Sequence, residues 1–577
     1  MPAIACALTP VLCYIIIRPY AEIGLGDDWS YVKTAQVLAQ TSHFAYYAAD
    51  SPMLGWQVYF GALFIKLFGF SFTAVRFTTV FESMATAFLL QRTFIRAGLN
   101  SWNSTLATLT FVLSPLYLSL AFTFMTDVSG VLCIVVCLYM CLRAVQAESE
   151  YSAMAWISSA ALLNAGGGTA RQIAWLGVLV MVPSTLWLLR KRRRVLLSGC
   201  LSCIAGAIFA VAAMHWFARQ PHTDIFSPAL RGFGWESFKN VVRAGMFAAE
   251  QLALLALPVL IMYAGSLRSR NRRMVVLCAT TFLCLAFLGI TLAHTGILKW
   301  WITPNEDGMT DNTLRRLNAI AIQVTGLSIA DYCVRFLFTG LTVLGILGFA
   351  AYILEHVRWR PVSKRETGSL SWQKLGIVVG PFSVAYIAIL ALISQHRIVF
   401  NRYLLPLLFV LLLTLVRYYQ ESAKTHLPLV SVLLIAVLGG FTFAALHDGF
   451  ALYRGYRSEI DEVRSHGTTA AEIFEPWEFV GWTEIEQAGY ANYPGGPTPQ
   501  AARAPVPAPA FGASCDDWSI KFLTAAPASA IQPVYAITVN PNECSGTVAF
   551  QPVVYRTWVA PHINSIYAVR LPASIPH

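Results

Sequence analysis

Apolar residues in this chain come in long blocks rather than in strict alternation. The stretches 104–122, 195–214, 274–298, 336–354, 375–394 and 427–446 contain no Asp, Glu, Lys or Arg. Each approaches the ~20 residues a helix needs to cross a bilayer. Shorter or interrupted apolar stretches at 4–17, 73–90, 128–142, 153–163, 173–189, 251–267 and 403–416 read as further spans, for a total of about thirteen transmembrane helices. Segment 48–70 is apolar and aromatic, with only Asp50 and Lys66 charged. It is expected to form a helix lying in the membrane interface, one wall of a cleft that Trp56, Tyr59 and Phe60 would help line. Beyond residue 446 the hydropathy falls. Residues 494–509 read as an irregular Pro-rich linker, and the alternating segments 534–539 and 547–555 predict a small β-containing domain. The expected organisation is therefore an all-α polytopic membrane domain, 1–446, followed by a small α+β C-terminal domain, 447–577.

Composition agrees with the patterning. A chain of 577 residues that is 56% hydrophobic, 12% charged and of mean hydropathy +0.57 is not an ordinary soluble protein. The net charge of +11 has a topological explanation. With the N-terminus cytoplasmic, Arg92, Arg96, Arg143, the run 190–194, Arg268, Arg270, Arg272, Arg273, the stretch 358–374, Arg417 and Lys424 all fall on the inner side, as short cytoplasmic loops require. Each basic run abuts a hydrophobic span, so no nucleic-acid partner is expected. The first apolar stretch lacks a basic flank and a small-residue cleavage site, and is expected to remain as the first helix. An odd helix count would make the C-terminal domain extracytoplasmic, periplasmic in a bacterial inner membrane.

The same threading gathers acids outside. Gly26-Asp27-Asp28-Trp29-Ser30-Tyr31 sets two carboxylates just after the first helix, and ionised groups so close to hydrocarbon are costly enough to suggest chemistry. The alternative is an N-terminal cap for the helix that follows. Asp127, in Phe124-Met125-Thr126-Asp127, faces the same two readings. Arg171 and Arg402 interrupt the positive-inside trend at outer helix ends, where a guanidinium fork suits phosphate oxygens; snorkelling to headgroups is the alternative. Arg397 and Lys299 are further donors on that side. Cys515 and Cys544, the two cysteines of the tail, are expected to pair in an oxidising compartment. No zinc spacing occurs. Glu306, Asp307 and Asp311 are candidate ligands for a divalent cation, and no obligatory metal or other cofactor is expected.

Taken in order, the acidic pair after helix one, Asp127 after helix three, Arg171-Gln172, and Asn401-Arg402-Tyr403-Leu404-Leu405-Pro406 resemble the GT-C superfamily of polytopic glycosyltransferases. The chain is most similar to the bacterial branch near protein O-mannosyltransferases and the lipid A aminoarabinose transferase. Trp477-Glu478-Phe479-Val480-Gly481-Trp482 resembles a tail motif of related bacterial members. The resemblance implies a polyprenyl-phosphate sugar donor, a glycan, lipid or protein acceptor, and transfer with inversion. In that reading Asp27 matches the family's catalytic base, Asp28 orients the acceptor or tunes the base, and Asp127 faces the same cavity. Arg402, Arg171, Arg397 and Lys299 serve the departing phosphate. One departure stands out: Asp50-Ser51-Pro52 replaces the Lys-Pro-Pro element of the aminoarabinose branch, which argues against lipid A and aminoarabinose as substrates.

A transporter or flippase of lipid-linked sugars is the rival from another class. It would place ionisable groups near the bilayer midplane and use inverted repeats with broken helices, whereas the long spans here are nearly free of charge. A polymerase or ligase using a diphosphate donor would favour one large outer loop rich in basic residues, whereas this chain has acidic motifs at the first outer loop.

Overall fold

The computed structural model describes residues 1–48, 50–223, 234–268, 329–357, 370–395, 399–423, 428–489, 532–544, 546–558 and 562–571. The expected spans at 4–17 and 73–90 appear as α1 (Pro2–Ile17) and α4 (Phe72–Arg96), separated by α2 (Asp28–Thr41) and α3 (Gly55–Phe68). α3 is the helix expected within segment 48–70. The stretch 104–122 is two helices, α5 (Ser101–Val112) and α6 (Pro115–Ala121), bent by 68°. Pro115 cannot donate to the preceding turn, and the Ser114 hydroxyl caps the new helix by accepting from the Tyr117 amide at 3.2 Å.

α7 (Thr126–Gln146) and α8 (Glu150–Gly167) follow as an antiparallel pair, then α9 (Val182–Leu189), entered through a 3-10 turn and a π turn, and α10 (Arg193–Phe217). Next come α11 (Trp235–Leu255), α12 (Leu257–Leu260), α13 (Ile329–Val357), α14 (Trp372–Ser394), α15 (Leu405–Ala423) and α16 (Leu429–Ser465). Among the described residues six helices are long and apolar enough to cross a membrane, or up to eight if each bent pair is one span. The expected span 274–298 lies outside the described residues. α4 falls short of that test because it carries Arg76 and Glu82 on its buried face, and α1 because it is only 16 residues long. α10 leaves Leu197, Leu201, Ile208 and Val211 each at least 65% exposed, a face for hydrocarbon rather than water.

α16 is 37 residues long and runs unbroken past Leu446 to Ser465, about 55 Å at 1.5 Å per residue. Beyond it β1 (Ile473–Phe474), α17 (Trp477–Ala488), β2 (Tyr535–Thr538), β3 (Thr547–Val548), β4 (Val553–Arg556) and β5 (Ile563–Arg570) form the C-terminal region. β5 is the hub of its sheet, antiparallel to β2, β3 and β4, with β1 added parallel to β2. The expected β segment 534–539 contains β2, 547–555 holds β3 and most of β4 with residues 549–552 between them outside any strand, and the linker 494–509 lies outside the described residues. The sheet packs on the end of the helical bundle. Ile537, Ile566 and Ala568 share one buried cluster with Ile23 and Leu25 before α2 and with Phe450 and Tyr453 of α16.

Candidate active site

Gly26 takes φ +58°, a left-handed conformation glycine adopts without penalty, and this turns the chain into α2. The two acids that follow differ in fate. Asp28 is fully buried. Its Oδ2 accepts from Arg76 Nε at 2.7 Å and its Oδ1 from Arg76 Nη2 at 3.1 Å. The amides of Leu25 (2.7 Å) and Phe124 (3.2 Å) complete the set, and Arg76 also donates to the carbonyls of Ala21 and Ile23. Every lone-pair direction of Asp28 is engaged in holding the loop before α2 onto α4. The Asp27 side chain is 33% exposed and meets Arg402 Nη2 through Oδ2 at 3.3 Å. Neither acid makes a side-chain cap of α2.

Asp127 sits in the first turn of α7, again without capping it. Its carboxylate is 2% exposed and pairs with Arg171 at 3.1 Å, while Arg171 Nη1 donates to Thr126 Oγ1 at 2.7 Å. Gly130 makes room: a Cβ there would stand 3.1 Å from Arg171 Cδ. Arg402 lies in the 3-10 turn Asn401–Leu404 that leads into α15, with its guanidinium 4.3 Å from the Phe400 ring centroid. Arg402 Nε approaches Asp127 Oδ2 at 3.9 Å, too far for a hydrogen bond. Among the described residues both atoms are buried without hydrogen-bond partners. Asp27, Asp127, Arg171 and Arg402 thus form one cluster of balanced formal charge, drawn from four separate parts of the chain. Both arginines turn inward to acids rather than snorkelling.

Three further side chains around the acidic loop, to which the sequence assigned no role, are Arg76, Tyr31 and Asp50. Arg76 interrupts an apolar span, and that intramembrane charge was the available signal. Tyr31 is buried; burial, then the carboxylates of Asp27 and Asp50, push its phenol well above the ordinary value, so it remains a proton-bearing donor. Asp50 is 3% exposed. Its Oδ1 accepts from the Ser30 hydroxyl at 2.7 Å. Burial pushes its carboxyl up to about 7, opposed by the Ser30 hydrogen bond.

Trp56 and Tyr59 line an apolar cavity of about 780 Å³ together with Leu132, Leu163, Phe209 and Trp216. Phe60 does not line it and packs instead against Phe64 at 5.2 Å. The Trp56 indole donates to the Gly167 carbonyl at 3.2 Å, and Thr169, two residues before Arg171, belongs to the same wall. Among the described residues no group of three or more His, Cys, Asp or Glu side chains could hold a metal ion. Lys299, Arg397, Glu306, Asp307, Asp311 and Cys515 lie outside the described residues; Cys544 is buried beside β2 and β5.

Residues 50–217 match the dolichyl-phosphate-mannose-protein mannosyltransferase family. That segment carries Asp127, Arg171 and all of the cavity lining but Phe44, and it gives the glycosyltransferase resemblance of the sequence a family match. No curated protein sequence matches the chain. Among solved structures, the chain is similar to ArnT from Cupriavidus metallidurans in the apo state, at 12% identity and TM-score 0.40, over 97% of each chain. It is also similar to the Archaeoglobus fulgidus oligosaccharyltransferase complexed with Zn and sulfate, at 12% identity and TM-score 0.46, over 93% of this chain and 68% of that one. A third likeness is to the S. cerevisiae protein O-mannosyltransferase Pmt1-Pmt2 complex bound to the sugar donor, at 13% identity and TM-score 0.28. It covers 37% of this chain and 31% of that one.

Proposed function

We propose that this chain is an integral-membrane glycosyltransferase that moves a sugar from a polyprenyl-phosphate donor to an acceptor hydroxyl with inversion. The observation that carries the reading is the pairing of a partly exposed carboxylate, Asp27, with Arg402, whose Nε–H has no acceptor among the described residues. A polyprenyl-phosphate sugar already has an activated anomeric carbon, so no covalent nucleophile is needed. The acceptor O–H gives its proton to Asp27 as the new bond to the anomeric carbon forms. The bond from that carbon to the phosphate oxygen breaks, and its electron pair leaves with the phosphate. Arg402, with Arg171 beside it, meets the charge that develops there. General-base help of this kind contributes about 10²- to 10⁴-fold.

The other acids divide the work. Asp127 holds Arg171 and faces Arg402, so it orients the cations, and Asp28 fixes the loop that presents Asp27. The apolar cavity behind Trp56 and Tyr59 suits part of a prenyl chain, with the phosphate toward Arg171. A bacterial inner membrane, with the N-terminus cytoplasmic and residues 447–577 as a periplasmic domain, is the topology that goes with this reading. The acceptor class, glycan, lipid or protein, is left to experiment.

The test is to reconstitute the purified protein in liposomes with a panel of radiolabelled polyprenyl-phosphate sugars and candidate acceptors. Sugar transfer with release of polyprenyl phosphate is the expected result. Movement of intact donor between leaflets, with no transfer to any acceptor, would replace this reading with the transporter.

A further inference from the structure

The loop before Asp27 is gripped from two sides, and the second grip comes from the far end of the chain. The Gly26 amide donates to Glu478 Oε1 at 3.1 Å, across 452 residues of sequence. The same oxygen accepts from the Tyr453 hydroxyl of α16 at 3.0 Å. Glu478 lies in the first turn of α17 and is 1% exposed. A buried carboxylate is costly unless hydrogen-bonded, so its bond to the Leu25–Gly26 peptide, one residue before Asp27, calls for an explanation.

α17 is seated closely on α2. A Cβ on Gly481 would stand 2.5 Å from the Trp29 indole, and one on Gly24 would stand 2.5 Å from Trp29 Cβ and 2.9 Å from Glu478 Cβ. Trp29 meets Trp477 edge-on at 5.7 Å. Further along, Lys33 pairs with Glu486 at 3.4 Å and lies 4.4 Å from the Trp482 ring centroid. The Trp29 slot is thus formed by glycines from both ends of the sequence, and Glu478 sits at its mouth.

The geometry points to Glu478 as a positioning residue: by accepting from the Gly26 amide it anchors the Leu25–Gly26 peptide of the turn that leads into Asp27, so the C-terminal region sets the placement of the catalytic carboxylate. Arg76 and Asp28 hold the same turn from the α4 side, which leaves Glu478 to fix its remaining free edge. The inference rests on Asp27 acting as the base. A base displaced by about 1 Å can cost on the order of 10²-fold in rate, while donor binding at Arg402 and the apolar cavity is left largely intact.

Three variants test it. Glu478→Ala, and Glu478→Asp, which is one methylene too short to reach, are expected to lower kcat by roughly 10- to 100-fold with the donor KM within about 2-fold of wild type. Glu478→Gln keeps the carbonyl oxygen that accepts from Gly26 and is expected to recover most of the kcat. Amide hydrogen exchange of the peptide covering residues 22–30 gives a readout that needs no turnover: faster in the Ala and Asp variants, near wild type in the Gln variant. Unchanged exchange and kcat in Glu478→Asp would overturn the inference, and so would a Gln variant as impaired as Ala. A wild type that transfers no sugar, with exchange behaving as described, would instead count against Asp27 as base and leave the contact with Gly26 standing.

Discussion

Asp28 and Arg76 lock together through hydrogen bonds of 2.7 and 3.1 Å, with side chains 0% and 2% exposed. Removing one partner of a buried ion pair strands the other, at a typical cost of about 3–5 kcal/mol. Arg76→Ala and Asp28→Ala are therefore expected to destabilise the protein severely, read as a large fall in melting temperature in detergent. Asp27→Ala, at a side chain one-third exposed, should change the melting temperature little. Equal effects at Asp27 and Asp28 would contradict the division of roles between them.

Arg402 offers donors in a fixed plane to Asp27 and toward Asp127, and Arg171 binds Asp127 and Thr126 together. Lysine keeps the charge but loses the fork. Arg402→Lys and Arg171→Lys are expected to fold normally and to lower kcat/KM by about 10-fold or more. Steady-state kinetics with donor varied is the check; wild-type kcat/KM in both variants would exclude the arginines from the phosphate site.

Asp50 supplies the pH dependence. It lies between α2 and α3, outside the spanning helices, and burial holds its carboxyl at about 7 against an ordinary value of 3.8. Between those values the folded protein keeps a proton that the unfolded chain has released. Its contribution to stability is therefore full below about pH 4 and declines as the pH rises through 7. Asp50→Asn removes the titration, so the melting temperature of the variant should gain on wild type between pH 5 and pH 8. A constant difference across that range would show that Asp50 does not titrate there.

Trp56 and Tyr59 line the apolar cavity, but Phe60 does not. Trp56→Ala and Tyr59→Ala are expected to raise the KM for long-chain donors several-fold and to matter less for donors with a truncated prenyl chain. Phe60→Ala should leave both unchanged. The three variants compared on long and short donors separate a chain-binding wall from general interfacial anchoring.

Much of this architecture could be read from residue order, because charge-free apolar blocks in a bilayer admit little besides helices. The blocks around 128–142, 195–214 and 375–394 emerge as α7, α10 and α14. The exceptions have local causes. Pro115 breaks 104–122 into two helices, and Arg76 and Glu82 make α4 more polar than a simple span. Asp27, Asp127, Arg171 and Arg402 were each visible as charges at helix ends. That they converge was not, because tertiary packing brings Arg402 across 375 residues to Asp27. The burial of Asp28 against Arg76 is not visible in the sequence, where the resemblance gives it a role at the acceptor or the base rather than in holding the loop. Glu478 belongs to the Trp477–Trp482 motif, but its bond to Gly26 depends on the docking of α17.

In the proposed reaction Asp27 acts as the base beside an arginine-held phosphate. Its most direct test is kcat for Asp27→Asn, measured with saturating polyprenyl-phosphate donor in a preparation whose donor binding matches wild type. The expected result is a fall of about 10²- to 10⁴-fold in kcat with donor affinity retained. Wild-type turnover by Asp27→Asn would contradict it.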